Sequence, residues 1–466
     1  NRLMQPERDS QAAWVNGGQL DLQNSHDVQM GAGSEVIVDA GGRVDVQGDI
    51  MVGKAGSVAM RADVADVPSD GSGRVHLGDG ARFSALGVNQ SGEFLLETGG
   101  KVQIGGMPAD DALTLETRLF ASGFSSYDIN GHAGVVVPEG VQLHVLRPSV
   151  RPTTGALSAV DHKAALETWQ APLYQVDPGS GAVTRREGAD LTLRSERLFA
   201  GGGVSVGEGA LVEVDSGKGI LLRAAENITV DGTLRARSGR IALEGVRYTA
   251  GAYPSIPGTR TWRLGDTAVL DASADSFVAV DASGRRQGIV NAGGRITLGG
   301  DLDWETRNAV ADSVDAFVVV DAGARLLASG TSERLDVQGQ GVQQVDTDGG
   351  RIVIRSANAL YLQGALEAAA GGVSAEGGTL GVAFGGSVYG PTAVDAVLVP
   401  RELALGQDRE QGLNNDAPVY GHGYLSLEQI AQGGFDHLSL FGDVRTDGAL
   451  SLAMDGSLRL LGSIGF

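Results

Sequence analysis

Val36-Ile37-Val38-Asp39-Ala40-Gly41-Gly42-Arg43-Val44-Asp45-Val46-Gln47-Gly48-Asp49-Ile50 holds two alternating apolar runs, Val36/Val38 and Val44/Val46, on either side of a small, glycine-rich corner. A period of two buries one face of each run and glycine lets the chain bend between them, so the phrase predicts strand, turn, strand. It returns twice. Val278-Ala279-Val280-Asp281-Ala282 precedes Gly293-Gly294-Arg295-Ile296-Thr297-Leu298, and Val318-Val319-Val320-Asp321-Ala322 precedes Gly349-Gly350-Arg351-Ile352-Val353-Ile354. The expected unit is one coil: inward aliphatics, an Asp-Ala-Gly corner, an outward Arg43 and a second strand.

Related strands extend the pattern along the chain. Gly18-Gln19-Leu20-Asp21-Leu22, Gly73-Arg74-Val75-His76-Leu77 and Gly100-Lys101-Val102-Gln103-Ile104 repeat its second half. The unequal spacing of these copies argues for coils whose corners accept insertions, against a blade of fixed period. A longer echo pairs Leu113-Thr114-Leu115 to Ala121 with Leu191-Thr192-Leu193 to Ala200, each followed by two strands, Gly134–Leu143 and Gly203–Val212. It reads as a return to the same structural position.

With 466 residues, 72 glycines, 13 prolines, 5% aromatic and 42% hydrophobic residues, the chain is too apolar for disorder and lacks collagen's period. The net charge of −21 makes nucleic acid and anionic membrane poor partners. It suits a solvated acidic exterior, or diffuse binding of divalent cations. The absence of cysteine excludes disulfides, thiol catalysis and cysteine-ligated zinc, and is compatible with export through an oxidising compartment. No apolar run is long enough for membrane insertion. Asn1 is not an initiator, which points to a piece of a longer or processed protein.

Short strands, glycine corners and variable repeats together select an all-β fold, a right-handed parallel β-helix (solenoid) with loop and short-helix insertions, over a sandwich or propeller. At roughly 20 to 28 residues per coil, the chain would make about 17 to 23 coils. Residues 1–466 read as one continuous shaft with irregular stretches at 107–190 and 385–432. In the first, Ala159 to Trp169 reads as a helix capped by Asp161, with Ala165, Leu166 and Trp169 as its apolar stripe. In the second, Ser426 and Gln429 have capping-box spacing for a single turn.

Three features resemble the filamentous haemagglutinin-like exoproteins of two-partner secretion, the large adhesins of Gram-negative bacteria. They are Phe120-Ala121-Ser122-Gly123-Phe124-Ser125-Ser126-Tyr127-Asp128-Ile129-Asn130-Gly131, Ile430-Ala431-Gln432-Gly433-Gly434-Phe435-Asp436-His437-Leu438-Ser439-Leu440, and the scattered Gly-Gly-Arg-Val/Ile coils. The resemblance implies a secreted or cell-surface β-helical shaft used in adhesion, aggregation, biofilm contacts, virulence or toxin display. The partners it implies are a host-cell receptor, a polysaccharide or a companion surface protein, with an outer-membrane transporter for the parent chain. The Asn-Pro-Asn-Leu and Asn-Pro-Asn-Gly motifs of that family's secretion domain have no match in the sequence. No functional residue is therefore carried over.

Parallel β-helices also resemble pectate lyases and polygalacturonases, which need carboxylates converging on one face. The nearest candidates are Asp346-Thr347-Asp348 and Asp301-Leu302-Asp303-Trp304. Asp39, Asp281 and Asp321 recur with the repeat and read as turn residues. The histidines lack metal-ligand spacing, and His76 and His144 should face outward. Trp169, Tyr174, Tyr248, Tyr253, Trp262, Tyr389, Tyr420 and Tyr424 fall in or near irregular segments, where they would either meet a sugar or pin insertions to the shaft. The reading is noncatalytic, with no catalytic, cofactor or metal residue assigned. Its alternatives are the spacer of a contact-dependent toxin-delivery exoprotein and a polysaccharide lyase or hydrolase.

Overall fold

The structure, a computed structural model, describes residues 15–465 except 45–49, 64–71, 89, 154–165, 198–200, 247–259, 302–315, 386–399, 411–412, 414–416 and 447. It is all-β, with 51% of the described residues in strands and 3% helical. Three long parallel sheets, of twelve, twelve and six strands, organise it. The chain visits them in turn. Gly219–Ala224 lies in the first sheet, Asn227–Val230 in the second and Thr233–Arg235 in the third, before Arg240–Gly245 pairs with Gly219–Ala224.

Alternating sequence becomes ladders of identical chemistry because successive circuits pair in register. Leu191, Ile220, Ile241, Ile296, Ile352, Leu380 and Leu438 form one inward ladder of the first sheet. Val135, Val204, Ile228, Trp262, Val318 and Leu360 do the same in the second sheet. Leu143, Val212, Leu234, Leu270, Leu326 and Leu366 do so in the third. All belong to one buried cluster running from Val28 to Val444. Each such side chain removed from water contributes about 1.5–3 kcal/mol.

The corner before each first-sheet strand explains the glycines. Gly56 sits over Gly18 and Gly92 over Gly56; later, Gly294 sits over Gly239, Gly350 over Gly294 and Gly378 over Gly350. In each case a Cβ would collide with the carbonyl oxygen of the glycine one circuit earlier. Their backbones are not left-handed, so it is close approach that demands glycine here.

Several expectations change. The first sheet has twelve strands among the described residues, fewer than the 17 to 23 coils expected. Some circuits are short, 21 residues from Gly219 to Arg240, and others long, 56 from Arg295 to Arg351, because insertions lengthen them. The copies of the opening phrase are not equivalent either. Gly42–Val44 belongs to an antiparallel pair with Ile50–Val52, and Val278–Val280 to another with Arg286–Gly288, whereas Val318–Val320 lies in the second sheet. Only Gly-Arg-Ile-x-Leu/Ile stacks directly, Arg240 on Arg295 on Arg351.

The echo divides in the same way. Val135–Val137 does pair with Val204–Val206, but Leu113–Leu115 lies in the second sheet and Leu191–Leu193 in the first. The expected helix is corrected where it is described: Leu166–Trp169 is a strand antiparallel to Ser149–Pro152. Arg151 binds Glu167 at 2.7 Å and lies 5.1 Å from the Trp169 ring, so cross-strand contacts override local helix preference. Ala159 to Ala165, like the side chain of Arg43, falls outside the described residues. The capping turn is present. Leu427–Gln432 is helical, and the Ser426 side chain accepts a hydrogen bond from the Gln429 N–H.

The described hairpins leave from one corner, between a third-face strand and the next first-sheet strand. They are Gly42–Val44/Ile50–Val52, Ser149–Pro152/Leu166–Trp169, Tyr174–Val176/Val183–Arg185, Ser276–Val280/Arg286–Val290 and Ser332–Val337/Gly341–Asp346. Three pack together: Tyr174 stacks on Phe277 at 5.2 Å, and the Arg286 N–H donates to Asp336 at 2.6 Å.

Two substitutions test this architecture by chemical denaturation. Gly350→Ala should cost about 2 kcal/mol through steric overpacking, while Gly18→Ala, with open space around its Cα, should change stability by less than about 0.5 kcal/mol. Leu234→Ala, which hollows the third-sheet ladder, should cost about 2–5 kcal/mol.

Candidate functional site

The stack is unbroken on its first face and broken on the other two at the same level. Ser57–Ala62, Glu93–Thr98 and Ser126–Gly131 pair continuously in the first sheet. On the second face Val75–Leu77 pairs with Val28–Met30, and the next stack begins at Ala112–Leu115, which is paired to Lys101–Ile104. On the third face Arg82–Ser84 pairs with Glu35–Ile37, and the next stack begins at Gln142–Val145. The excursion after Ile104 makes the gap. Gly105 and Gly106, with φ of +70° and +76°, turn the chain out, and it returns as the extra strand Ala112–Leu115 and the 3-10 helix Thr117–Ala121.

A cleft of about 940 Å³ occupies this gap. Half-buried Leu77, Leu86 and Leu113 give it an apolar floor. Beneath it an aromatic plug closes the core: Phe83 meets Phe94 at 5.1 Å, Phe94 meets Phe124 at 5.4 Å and Phe120 meets Tyr127 at 5.2 Å. The phrase Phe120–Gly131 thus has a packing role. Tyr127 keeps its hydroxyl protonated, since burial pushes its pKa far up, and that oxygen accepts the Ser122 N–H at 3.0 Å. Four basic residues on the cleft lining, Arg74, Arg82, Lys101 and Arg118, balance four acidic ones. Lys101 lies 3.6 Å from Asp111, and Arg118 pairs with Glu116. A chain of charge −21 therefore presents a neutral-lined cleft. Thr114, also on the lining, has its Oγ1 buried without a hydrogen-bond partner.

The carboxylates singled out from sequence are not brought together there. Asp346 binds the Ser332 hydroxyl and accepts the Ser374 N–H at 3.0 Å, contacts that hold its pKa below the usual carboxylate range. Asp348 accepts the Glu376 N–H at 2.9 Å. Asp301 pairs with Arg295, while Leu302, Asp303 and Trp304 fall outside the described residues. Asp39 binds Ser84 Oγ and the Leu86 N–H, Asp321 binds Arg263 at 2.6 Å, and Asp281 caps its own hairpin turn. These carboxylates tie the chain together.

The aromatics divide. Trp262 is buried in the second-sheet ladder, Tyr174 and Tyr420 pack on Phe277 and Phe317, and the Tyr424 hydroxyl donates to Asp408 O at 2.8 Å. Tyr248, Tyr253 and Tyr389 lie outside the described residues. His76 and His144 are exposed strand residues, 3.5 Å from Asp27 and 2.9 Å from Glu213. His422 stacks on Tyr361 at 4.2 Å, and His437 lies on the strand Phe435–Phe441.

One titratable cluster lies on and just beyond four first-sheet strands, Ser57–Ala62, Glu93–Thr98, Ser126–Gly131 and Asp190–Ser195. Asp63, its carboxylate fully enclosed, binds Arg197 at 2.6 Å, and His132 lies 3.4 Å from Asp63 and 3.0 Å from Glu97. The His132 hydrogen bond lowers the Glu97 pKa, whereas burial raises that of Asp128 despite Arg194 at 2.6 Å. Carboxylates pushed in opposite directions form the pattern of an acid–base pair. A lyase also needs a base, and Arg194 is the cation at hand. Burial lowers its pKa, but Asp128, Glu196 and Glu97 more than offset this and the net shift is upward, so Arg194 stays protonated.

Neither the cleft nor this cluster was found from sequence. The available signal for the cleft was Gly105-Gly106-Met107-Pro108, which stops a strand pattern and restarts it within a few residues.

The Glu97 shift has a testable sign. Its folded pKa lies below its unfolded value, so its contribution is full above the unfolded pKa and lost as pH falls through the folded one. His132→Ala removes the largest cause of the lowering. Glutamate 13C NMR should show Glu97 titrating at higher pH, and acid unfolding should begin at higher pH; an unmoved Glu97 would refute the assignment.

Compared with known proteins, the chain matches no family model, no curated protein and no solved structure.

Proposed function

We propose that this chain is a noncatalytic shaft segment of a large secreted or surface-exposed bacterial adhesin, built as a right-handed parallel β-helix with hairpin and loop insertions. The observation that carries the reading is where the acidic groups go. Asp39, Asp321, Asp346 and Asp348 each bind an adjacent circuit or corner, and Asp281 caps a turn, so the recurring carboxylates serve the repeat itself. Repeated circuits on continuous apolar ladders supply length and stiffness. Departures from the repeat supply surface: the hairpins gathered at one corner and the cleft at the broken stack are where recognition is expected on a rigid scaffold. The resemblance of Phe120–Gly131 and Ile430–Leu440 to filamentous haemagglutinin-like exoproteins supports export of the parent chain through an outer-membrane transporter, and roles in attachment, aggregation or biofilm contacts.

The purified chain, immobilised and presented with arrays of bacterial and host glycans and with whole cells, tests the reading. Saturable attachment without depolymerisation of any glycan is the expected outcome. Absence of any saturable ligand would replace it with a spacer that holds a distal toxin or adhesive tip away from the cell. Turnover of an acidic polysaccharide, abolished in Asp346→Ala/Asp348→Ala, would replace it with a lyase or hydrolase.

A further inference from the structure

Two hairpins meet over the third face. Tyr174–Val176/Val183–Arg185 leaves after Gln142–Val145, and Ser276–Val280/Arg286–Val290 leaves after Val269–Asp271, three circuits later in the same stack. The two circuits between them return to the first sheet through short corners, residues 215–218 and 236–239. Tyr174 stacks on Phe277 at 5.2 Å and donates its hydroxyl to Asp275, which ties the hairpins together across those corners. A pocket of about 260 Å³ lies there. Its floor is the outer face of the third sheet, where His144, Glu213 and Arg235 pair in register. The corner stack forms its edge. The Gly217 N–H donates to Arg237 O at 2.8 Å and the Asp275 N–H to Ser238 Oγ at 2.9 Å, so Asp215, Arg237 and Asp275 stand on neighbouring layers. Half-buried Leu146 and Leu173 add an apolar patch.

Part of this lining holds the pocket's own frame, as where Arg186 binds Asp215 at 2.8 Å. The rest is open. Arg237, with 48% of its side chain exposed, lies 3.5 Å from Asp271 and makes no side-chain hydrogen bond among the described residues. Asp275 accepts the Tyr174 hydroxyl on one carboxylate oxygen, and the other has no partner among the described residues. His144 meets Glu213 at 2.9 Å through Nδ1 and keeps Nε2. We propose that the pocket binds one neutral sugar ring, a pyranose, through Arg237, Asp275 and His144, with a C–H face of the ring on Leu146 and Leu173. A guanidinium only donates and a carboxylate only accepts, whereas each sugar hydroxyl does both, so neighbouring hydroxyls serve both groups at once. A zwitterionic amino acid would use Arg237 and Asp275 and leave His144 without a partner. Three arginines and three carboxylates balance on the lining, which gives no preference for phosphate, sulfate or uronate. The volume lies below the roughly 300–1,000 Å³ of sites for drug-sized ligands, which suits a single ring. This goes beyond the adhesin reading and does not rest on it, since a spacer or an enzyme could carry the same pocket.

Saturation-transfer NMR and calorimetry on the full chain, with free glucose, galactose, mannose, fucose, N-acetylglucosamine and N-acetylgalactosamine, test it. At least one of these sugars should bind saturably. Arg237→Met removes exposed donors without breaking a hydrogen bond of the fold, so it should weaken that sugar at least about tenfold. Arg459→Met, at an exposed arginine on the last strand of the first sheet, should leave it unchanged. Leu173→Trp, which fills the pocket, should abolish binding, and Arg237→Met decides the matter if that variant fails to fold. The sugar that binds is then offered at the non-reducing end of an immobilised oligosaccharide. Capture of the chain, lost in Arg237→Met, assigns the pocket to glycan termini, and no capture assigns it to the free sugar. Binding of none of these sugars, or equal affinity of folded Arg237→Met, would overturn the inference. So would inorganic phosphate, glucuronate or glycine binding in an Arg237-dependent way where neutral sugars do not. Sugar binding lost in Arg237→Met, with whole-cell attachment unchanged, would uphold it and separate the pocket from the adhesin reading.

Discussion

In-register pairing between one circuit and the next is the constraint on which the rest depends. A strand of two to seven residues buries too little to be stable alone, and each strand of the three long sheets gains its partners from the strands beside it in the stack. Register then dictates composition. Leu193, Leu222, Leu243, Leu298, Ile354, Val382 and Leu440 lie one above another, so each position must suit its neighbours along the stack as well as its neighbours around the core. The glycine column before the first-sheet strands has the same origin, because a corner where carbonyl groups stack closely leaves no room for a Cβ.

Insertions are tolerated where they leave this pairing intact. The hairpins emerge after a third-face strand, and the chain returns to start a first-sheet strand in register with the one before, as Arg295–Leu298 does on Arg240–Leu243 despite the intervening hairpin. An antiparallel hairpin suits this role, since it satisfies its own backbone and brings its two ends together. The segment after Ile104 behaves differently. Its strand Ala112–Leu115 becomes the edge of the second sheet, so Lys101–Ile104 has that strand on one side and Val135–Val137 on the other. A related exchange occurs near the far end, where Glu402–Gly406 precedes Gly423–Ser426 in sequence but follows it in the stack. In the first case the displaced pairing leaves Val75–Leu77 and Ala112–Leu115 close together but unpaired with each other, and a cleft beside them. In the second, Glu402–Gly406 pairs with Asp443–Thr446 on its other side and the stack stays closed.

Alternating aliphatics, glycine corners and the Ser426 cap made the strand-rich repeat legible in the sequence. The number and placement of circuits were not legible, for a physical reason. All three faces enclose one core and impose the same alternation, so Gly-Arg-Val reads alike before a second-face strand at Arg74, in a hairpin at Arg43 and, as Gly-Arg-Ile, before the first sheet at Arg295. A short motif records that a strand is half-buried and does not record which wall it belongs to. Leu113–Leu115 and Leu191–Leu193 were matched for that reason, and matching them concealed the inserted strand that opens the cleft. At Leu166–Trp169 local preference favoured a helix, but the deciding partner, Ser149–Pro152, lies beyond a segment whose content gives no pairing signal.

Stacking in register also sets the electrostatics. Residues at equivalent positions of consecutive circuits stand about one strand spacing apart, roughly 4.8 Å, so like charges in one column repel at close range. Several columns avoid this by changing sign from one circuit to the next. Arg61 faces Asp21 on the preceding circuit, Arg223 meets Glu244 and Arg235 meets Glu213. The column Arg240, Arg295, Arg351 does not alternate, and it shows the consequence: burial, with Arg351 and Arg240 on either side, brings the Arg295 guanidinium down to about 10. Glu244 beside Arg240 and Asp301 beside Arg295 offset part of that repulsion from outside the column. Where circuits pair, a charge is met by its opposite in the same column or countered from outside it, as Glu244 and Asp301 do for Arg240 and Arg295.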